Sequence, residues 1–194
     1  DATPNKPAPK VADCTLNFND GKDYSNGKRV IGTATSKMLP LPHAPTPTLT
    51  FWSYHGVELN QKYDHRFVEV SDDGFVHRVE TIRLDNLKAA TQWAKVELPL
   101  HQWRRKLIQV RFRFDSVDAS SNSGPGWFVD HVQLEATLGG GTCQGGCGAY
   151  RPTSACQCDK ACGLFGDCCA DVQEVCGGCQ TDSDCAIAGG CNTA

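Results

Sequence analysis

The chain has 194 residues, 40% of them hydrophobic and 21% charged, with a formal charge of −3. That is the composition of a globular protein with room for one medium and one small domain. It gives no footing for a nucleic-acid partner, since no basic run of five or more occurs, and no apolar stretch approaches the length of a membrane span.

Residues 1–12, DATPNKPAPKVA, are polar and proline-broken, which predicts an extended N-terminal arm. From residue 13 the pattern changes. Leu16 and Phe18 alternate with polar neighbours, as in a half-buried strand. NDGKDYSNGK is a turn cluster, and Val30–Thr35 reads as a short strand. After the proline-rich LPLPHAPTPT, the run TLTFWSYHGVEL is a strong strand with Leu49, Phe51 and Ser53 on one face and Trp52 and Tyr54 on the other. HRFVEVS places Val68 and Val70 together, and SDDG turns the chain. Phe75–Leu84 is β-rich, and Arg83–Trp93 fits either a helical turn or a polar loop. Ala94, Val96 and Leu98 alternate with charged residues. In KLIQVRFRFDS, Ile108, Val110, Phe112 and Phe114 face inward while Gln109, Arg111 and Arg113 face outward. GWFVDHVQLEA supplies a last strand, with Trp127 in the core. Short strands separated by turn signals predict an all-β domain, an antiparallel jelly-roll β-sandwich, over residues 13–136. TLGGGT, residues 137–142, is a glycine-rich linker.

Eight of the twelve cysteines fall between Cys143 and Cys176. A segment this small cannot bury enough apolar surface to fold unaided, so it needs staples. A zinc site is the alternative, because Cys176 and Cys179 form a C-x2-C pair, but no histidine follows His131 and the adjacent Cys168 and Cys169 suit crossed disulfides better. Twelve cysteines point to an oxidising compartment, hence to a secreted or cell-surface protein. No signal peptide is present, which predicts a mature chain whose targeting segment has been removed. No Asn-x-Ser/Thr sequon occurs, so N-glycosylation is not expected.

Spacing alone does not fix the cysteine pairing. The run CQCDKACGLFGDCC, with its C-x-C-D-x-x-C core and a CC pair beyond, resembles a somatomedin B domain, and all eight cysteines match that pattern. The resemblance implies a small disulfide-rich knot over residues 143–177 with bonds Cys143–Cys158, Cys147–Cys176, Cys156–Cys169 and Cys162–Cys168. It also implies a protein-binding surface around Asp159, Leu164 and Phe165. The family's aromatic before Phe165 is replaced by Leu164, so the family's protease-inhibitor partner is not implied. In the tail, residues 178–194, Cys179, Cys185 and Cys191 are odd in number, so one of them is expected to pair with Cys14, within one chain or between two copies.

The succession FNDG, GTATS, LTFWSYHGVE, YDHRFVEVSDDG, VRFRFD and GWFVDHV resembles MAM-like jelly rolls. That resemblance implies one calcium ion, with Asn19 or Asp20, Glu58, Asp64 and Asp130 as ligands. Asp130 shares a strand face with Phe128, and an acid on a buried face must be neutralised by a cation or by hydrogen bonds. The alternative has Asp130 capping backbone amides, with Glu58 and Asp64 solvated in turns.

Catalytic motifs are absent: there is no HExxH, GxSxG, P-loop or dinucleotide fingerprint. Of the scattered histidines, His55, His65 and His77 are the set that could converge. Trp52 and Tyr54 offer a sugar-stacking pair, unless other segments cover them. The sequence thus reads as a non-catalytic structural or adhesive protein. An extended arm that adds to a sheet edge, locked through Cys14, would join copies head to tail into a filament. The alternatives are an accessory module of a secreted peptidase and a carbohydrate-binding module.

Overall fold

The computed structural model describes residues 15–19, 23–58, 60, 62–85 and 91–177. Two compact units are present. One comprises residues up to Leu39 with Leu49–Leu98 and Ile108–Gln133, and the other Pro40–Thr48, Pro99–Leu107 and residues from Leu134 onward.

Among the described residues there are nine strands: β1 (Leu16–Asn17), β2 (Ile31–Thr35), β3 (Leu39–Pro40), β4 (Thr48–Gly56), β5 (His65–Ser71), β6 (Val79–Arg83), β7 (Ala94–Pro99), β8 (Leu107–Asp115) and β9 (Gly126–Glu135). One sheet has the order β1-β9-β4-β7 and the other β2-β8-β5-β6, with the short β3 also on β8. The first strand lies beside the last, the second beside the eighth, the fourth beside the seventh and the fifth beside the sixth. That nesting is one long antiparallel hairpin wound across two sheets, the jelly-roll arrangement.

The alternation in β8 holds. Ile108, Val110, Phe112 and Phe114 are buried, and Gln109, Arg111 and Arg113 lie half-buried on the opposite face. β4 contributes Leu49, Phe51 and Ser53 to the core, and β5 contributes Val68 and Val70. At the centre Trp127 meets Phe18 (5.0 Å between centroids, stacked) and Phe112 (5.9 Å), and Phe112 meets Phe51 edge-on at 5.2 Å. The Phe18 ring fits because β2 carries no side chain at Gly32: a Cβ there would lie 2.9 Å from Phe18 Cδ1.

One strand expectation differs from what is found. Phe18 is buried but Leu16, expected on the same face, stays 42% exposed. Among the described residues β1 is a two-residue strand at the edge of its sheet, pairing Leu16 with Val129 and Asn17 with Phe128. In β9 residues 126–130 are all buried, in keeping with Trp127 in the core and Asp130 on a buried face with Phe128. Trp127 and Val129 face the other sheet, while Phe128 packs edge-on under Tyr54 on the outer side. Within the 83–93 segment, residues 86–90 lie outside the described residues.

Trp127 donates its indole Nε1–H to Ser53 Oγ at 3.0 Å inside this apolar core. Ser53→Ala should therefore lower the unfolding free energy by about 1–3 kcal/mol, the cost of a stranded buried donor. Combining it with Trp127→Phe, measured by urea denaturation, should cost less than the sum of the single changes. Additive costs would show that the bond is not why the pair is polar.

Candidate functional site

The knot is built from sulfur. Cys143, Cys156, Cys158, Cys169 and Cys176 form its buried cluster, with Cys147 and Val172 packed against it. The four bonds are Cys143–Cys158, Cys147–Cys176, Cys156–Cys169 and Cys162–Cys168. Closing a loop of fifteen residues, as the first of them does, removes about 3 kcal/mol of unfolded-state entropy. Two helical turns, α1 (Cys162–Phe165) and α2 (Val172–Val175), complete it. Gln157, 1% exposed, accepts from Arg151 N and donates to Arg151 O and Ser154 O, so its amide holds the 151–154 turn. Asp171 accepts from Cys143 N and Thr142 Oγ1, which holds its carboxyl below the usual carboxylate range, the Thr142 bond contributing most.

Asp159, Leu164 and Phe165 diverge in environment. Leu164 is 57% exposed. Asp159 accepts from Arg105 Nη2 at 2.5 Å, and the Arg105 guanidinium lies 4.9 Å from the Phe165 ring centroid and 4.8 Å from that of Tyr150. Its Nη1 is 3.5 Å from Asp167 Oδ2, and Asp167 is fully buried. Asp167 also accepts from His43 N at 2.9 Å, and Tyr150 Oη is 3.1 Å from His43 Nδ1. Arg105 reaches this notch from a left-handed backbone, φ 61°, fixed by its own N–H donating to Leu41 O. The notch is thus two carboxylates and two rings around one guanidinium, the donor that combines planar hydrogen bonding with ring stacking.

Arg105, Asp167, Tyr150 and His43 are not singled out by the sequence. The one hint is Trp103-Arg104-Arg105-Lys106, a basic cluster too short to count as a run. His43 and Asp167 are 124 positions apart, and no local pattern links them.

A second polar cluster lies in the sandwich. Asp64, 2% exposed with φ 53°, accepts on Oδ2 from Tyr24 Oη (2.5 Å) and Glu58 N (2.6 Å), while its Oδ1 has no hydrogen-bond partner among the described residues. Burial pushes the Asp64 carboxyl up, against the two hydrogen bonds, and the charges of Glu58 and Asp118 add to the rise. Burial and the Asp64 contact push Tyr24 well above the ordinary phenol range. His55, 3% exposed, is held down to about 4 by burial and by Arg66, so its ring is neutral near physiological pH.

Of the expected calcium ligands, Asn19, Glu58, Asp64 and Asp130 are among the described residues. Glu58 and Asp64 are neighbours through the bond just described. Asp130, 3% exposed, accepts from His131 N at 2.6 Å and so caps a backbone amide. Asn19 donates to Pro125 O at 2.7 Å. Among the described residues, the one group of three or more His, Cys, Asp or Glu side chains close enough to share an ion is Cys143, Cys158 and Cys169, and each of these sulfurs is already in a disulfide. Asp20, Cys14, Cys179, Cys185, Cys191 and the 1–12 arm lie outside the described residues.

Trp52 and Tyr54 are half-buried, and Tyr54 packs on Trp93 and Phe128 at 5.6 and 5.8 Å. The histidines do not converge. His55 faces the core, His65 sits on the outer face of its sheet against Asp85 at 3.0 Å, and the His77 side chain is 84% exposed.

Residues 141–179 match the somatomedin B domain family. The knot's four bonds agree with the pairing that the family resemblance implies. No curated protein matches the chain. Among solved structures it is similar to the K3 cleaved adhesin domain of Lys-gingipain from Porphyromonas gingivalis W83, at 20% identity and a TM-score of 0.35, over 56% of this chain and 66% of that one. The K1 cleaved adhesin domain of the same protein gives 21% identity and a TM-score of 0.33, over 54% and 63%. A family 16 carbohydrate binding module gives 16% identity and a TM-score of 0.33, over 58% and 74%. The chain spans just under two thirds of the two adhesin domains, 66% and 63% of their lengths. Likenesses this distant transfer no activity.

Because the folded Asp64 carboxyl is raised above its unfolded value, the stability it contributes is present below the unfolded pKa and is lost as pH rises through the folded one. Asp64→Asn should remove that loss, flattening the thermal midpoint against pH above the ordinary aspartate range. An unchanged pH profile in the variant would show that the carboxyl is not desolvated.

Proposed function

We propose that the chain is a non-catalytic extracellular protein of structural or adhesive kind, whose somatomedin B-like knot keeps its acidic and aromatic notch filled by Arg105 of the same chain. Four disulfides and the family match support an extracellular setting. Among the described residues no helix is long and apolar enough to cross a membrane. The sandwich remains, on its residues, MAM-like.

The observation that carries this reading is the Arg105 guanidinium between Asp159, Phe165 and Tyr150, its side chain only 12% exposed. Asp159 and Phe165 are positions through which a somatomedin B domain would meet another protein. Here they are already engaged, and Leu164 is the member of that set left facing solvent. The knot then acts as a closed element: it binds through Leu164 or not at all while Arg105 stays in place.

Arg105→Ala should leave the buried Asp167 and the half-buried Asp159 without their cation, at a cost of about 3–5 kcal/mol. Millimolar methylguanidinium should then raise the variant's thermal midpoint and bind measurably by calorimetry, while doing neither to the wild type. A variant as stable as the wild type, or equal uptake by both, would remove the closed notch.

A further inference from the structure

The outer face of the second sheet forms a grid that no expectation above used. Pairing registers Thr33 with Arg113, Arg113 with Phe67 and Phe67 with Arg83 in one row, and Thr35 with Arg111, Arg111 with Glu69 and Glu69 with Thr81 in the next. Alternation along each strand points all of these to the side away from Val68, Val70, Phe112 and Phe114. Glu69, 4% exposed, spends both oxygens on the two arginines: Oε2 accepts from Arg111 Nε at 2.6 Å and Oε1 from Arg113 Nε at 2.9 Å. Each guanidinium also lies flat over a ring, Arg111 over Phe75 at 4.0 Å and Arg113 over Phe67 at 3.9 Å.

This arrangement fixes two guanidiniums without using them up. Glu69 takes only the Nε–H of each. Apart from Glu69, the carboxylate within ion-pair range of their Nη groups among the described residues is Asp115, 3.8 Å from Arg113 Nη1. The arginine side chains stay 26–27% exposed. Two residues apart on one strand, Arg111 and Arg113 have Cα atoms about 7 Å from each other, and Glu69 holds both guanidiniums on the same face. A fork held by stacking and by an ion pair loses little side-chain entropy on binding, and its matching ligand is an oxyanion with two acceptors in a plane.

The chemistry around the forks says what carries the oxyanion. A protein interface is apolar at its centre and polar at its rim. Here the order is reversed: the centre is charged, hydroxyl groups of Thr33, Thr35 and Thr81 flank it, and exposed apolar side chains occur at the corners, Ile31 at 57% and Val79 at 38%. We propose that this face binds an acidic polysaccharide, with sulfate or carboxylate groups on the Arg111 and Arg113 forks and sugar hydroxyls on the threonines. The chain's overall charge of −3 gives a polyanion no general attraction, so capture must be local. The proposal concerns side chains of the sandwich and does not rest on the closed knot.

Removing the arginines would strand buried Glu69, so the decisive variant leaves all three in place. Thr33→Glu/Thr35→Glu puts a carboxylate opposite each fork at positions already exposed. The full chain would be titrated by calorimetry with dextran sulfate, polygalacturonate, neutral dextran and poly-glutamate, at low and moderate salt. Dextran sulfate or polygalacturonate should bind, and whichever binds names the oxyanion. Binding should weaken with salt. The variant, with an unchanged thermal midpoint, should lose about tenfold or more in affinity, as expected when charge-assisted hydrogen bonds worth about 1.5–3 kcal/mol are blocked. Neutral dextran should not bind. Failure of both polyanions, equal binding by the variant, or poly-glutamate binding as tightly as the polysaccharides would overturn the proposal.

Discussion

In both units, buried acids are compensated by a guanidinium or by O–H and N–H donors, and the surrounding segments are held through those contacts. Glu69 lies under two guanidiniums, Asp167 under Arg105 and the His43 amide, and Asp64 under a phenol and a backbone amide. Each compensated acid fixes the segment that supplies its partner. Asp64 ties Tyr24 and the Glu58 backbone to the start of β5. Asp167 ties residues 41–43 and 105 to the knot. Asp73, which accepts from Ser71 Oγ and from the amides of Val76, His77 and Arg78, organises the loop after β5 and is held far below the usual carboxylate range, the Ser71 bond contributing most.

The sheets follow a different rule, alternation, and that rule is visible in the residues themselves. β8 could be assigned face by face because both of its faces meet distinct surroundings, apolar on one side and ionic on the other. In β9 both faces are buried over residues 126–130, so alternation alone does not separate them. Trp127 in the core was legible for the same reason that Asp130 was noticeable. That Asp130 meets a neighbouring backbone amide depends on the left-handed backbone at His131, φ 50°, which no side-chain pattern announces.

The knot divides in the same way. Its cysteine pattern matches a known family, so its covalent framework followed from that resemblance, which the spacing alone would not have fixed. Arg105 was not. It joins Asp159 from 54 positions away, and Leu100 and Pro47 are likewise joined through the backbone to shape the segment that delivers it. Side chains that complete a site from a distant loop leave little trace in sequence. Here the trace was a single arginine among three basic residues.

The sulfur cluster sets the conditions under which the notch can exist at all. An ordinary domain that loses a disulfide keeps its hydrocarbon core and some memory of its shape. In this knot the buried residues that form the cluster are the cysteines themselves, with Val172 only partly buried against them. Reduction would turn a core into eight separate thiols and leave nothing apolar for the backbone to collapse upon. Asp159, Phe165 and Tyr150 would then be points on an unstructured segment, and Arg105 would have no pocket. The notch is therefore a property of a place: made in a reducing cytosol the same residues carry no such site, and it comes into being only where thiols are oxidised.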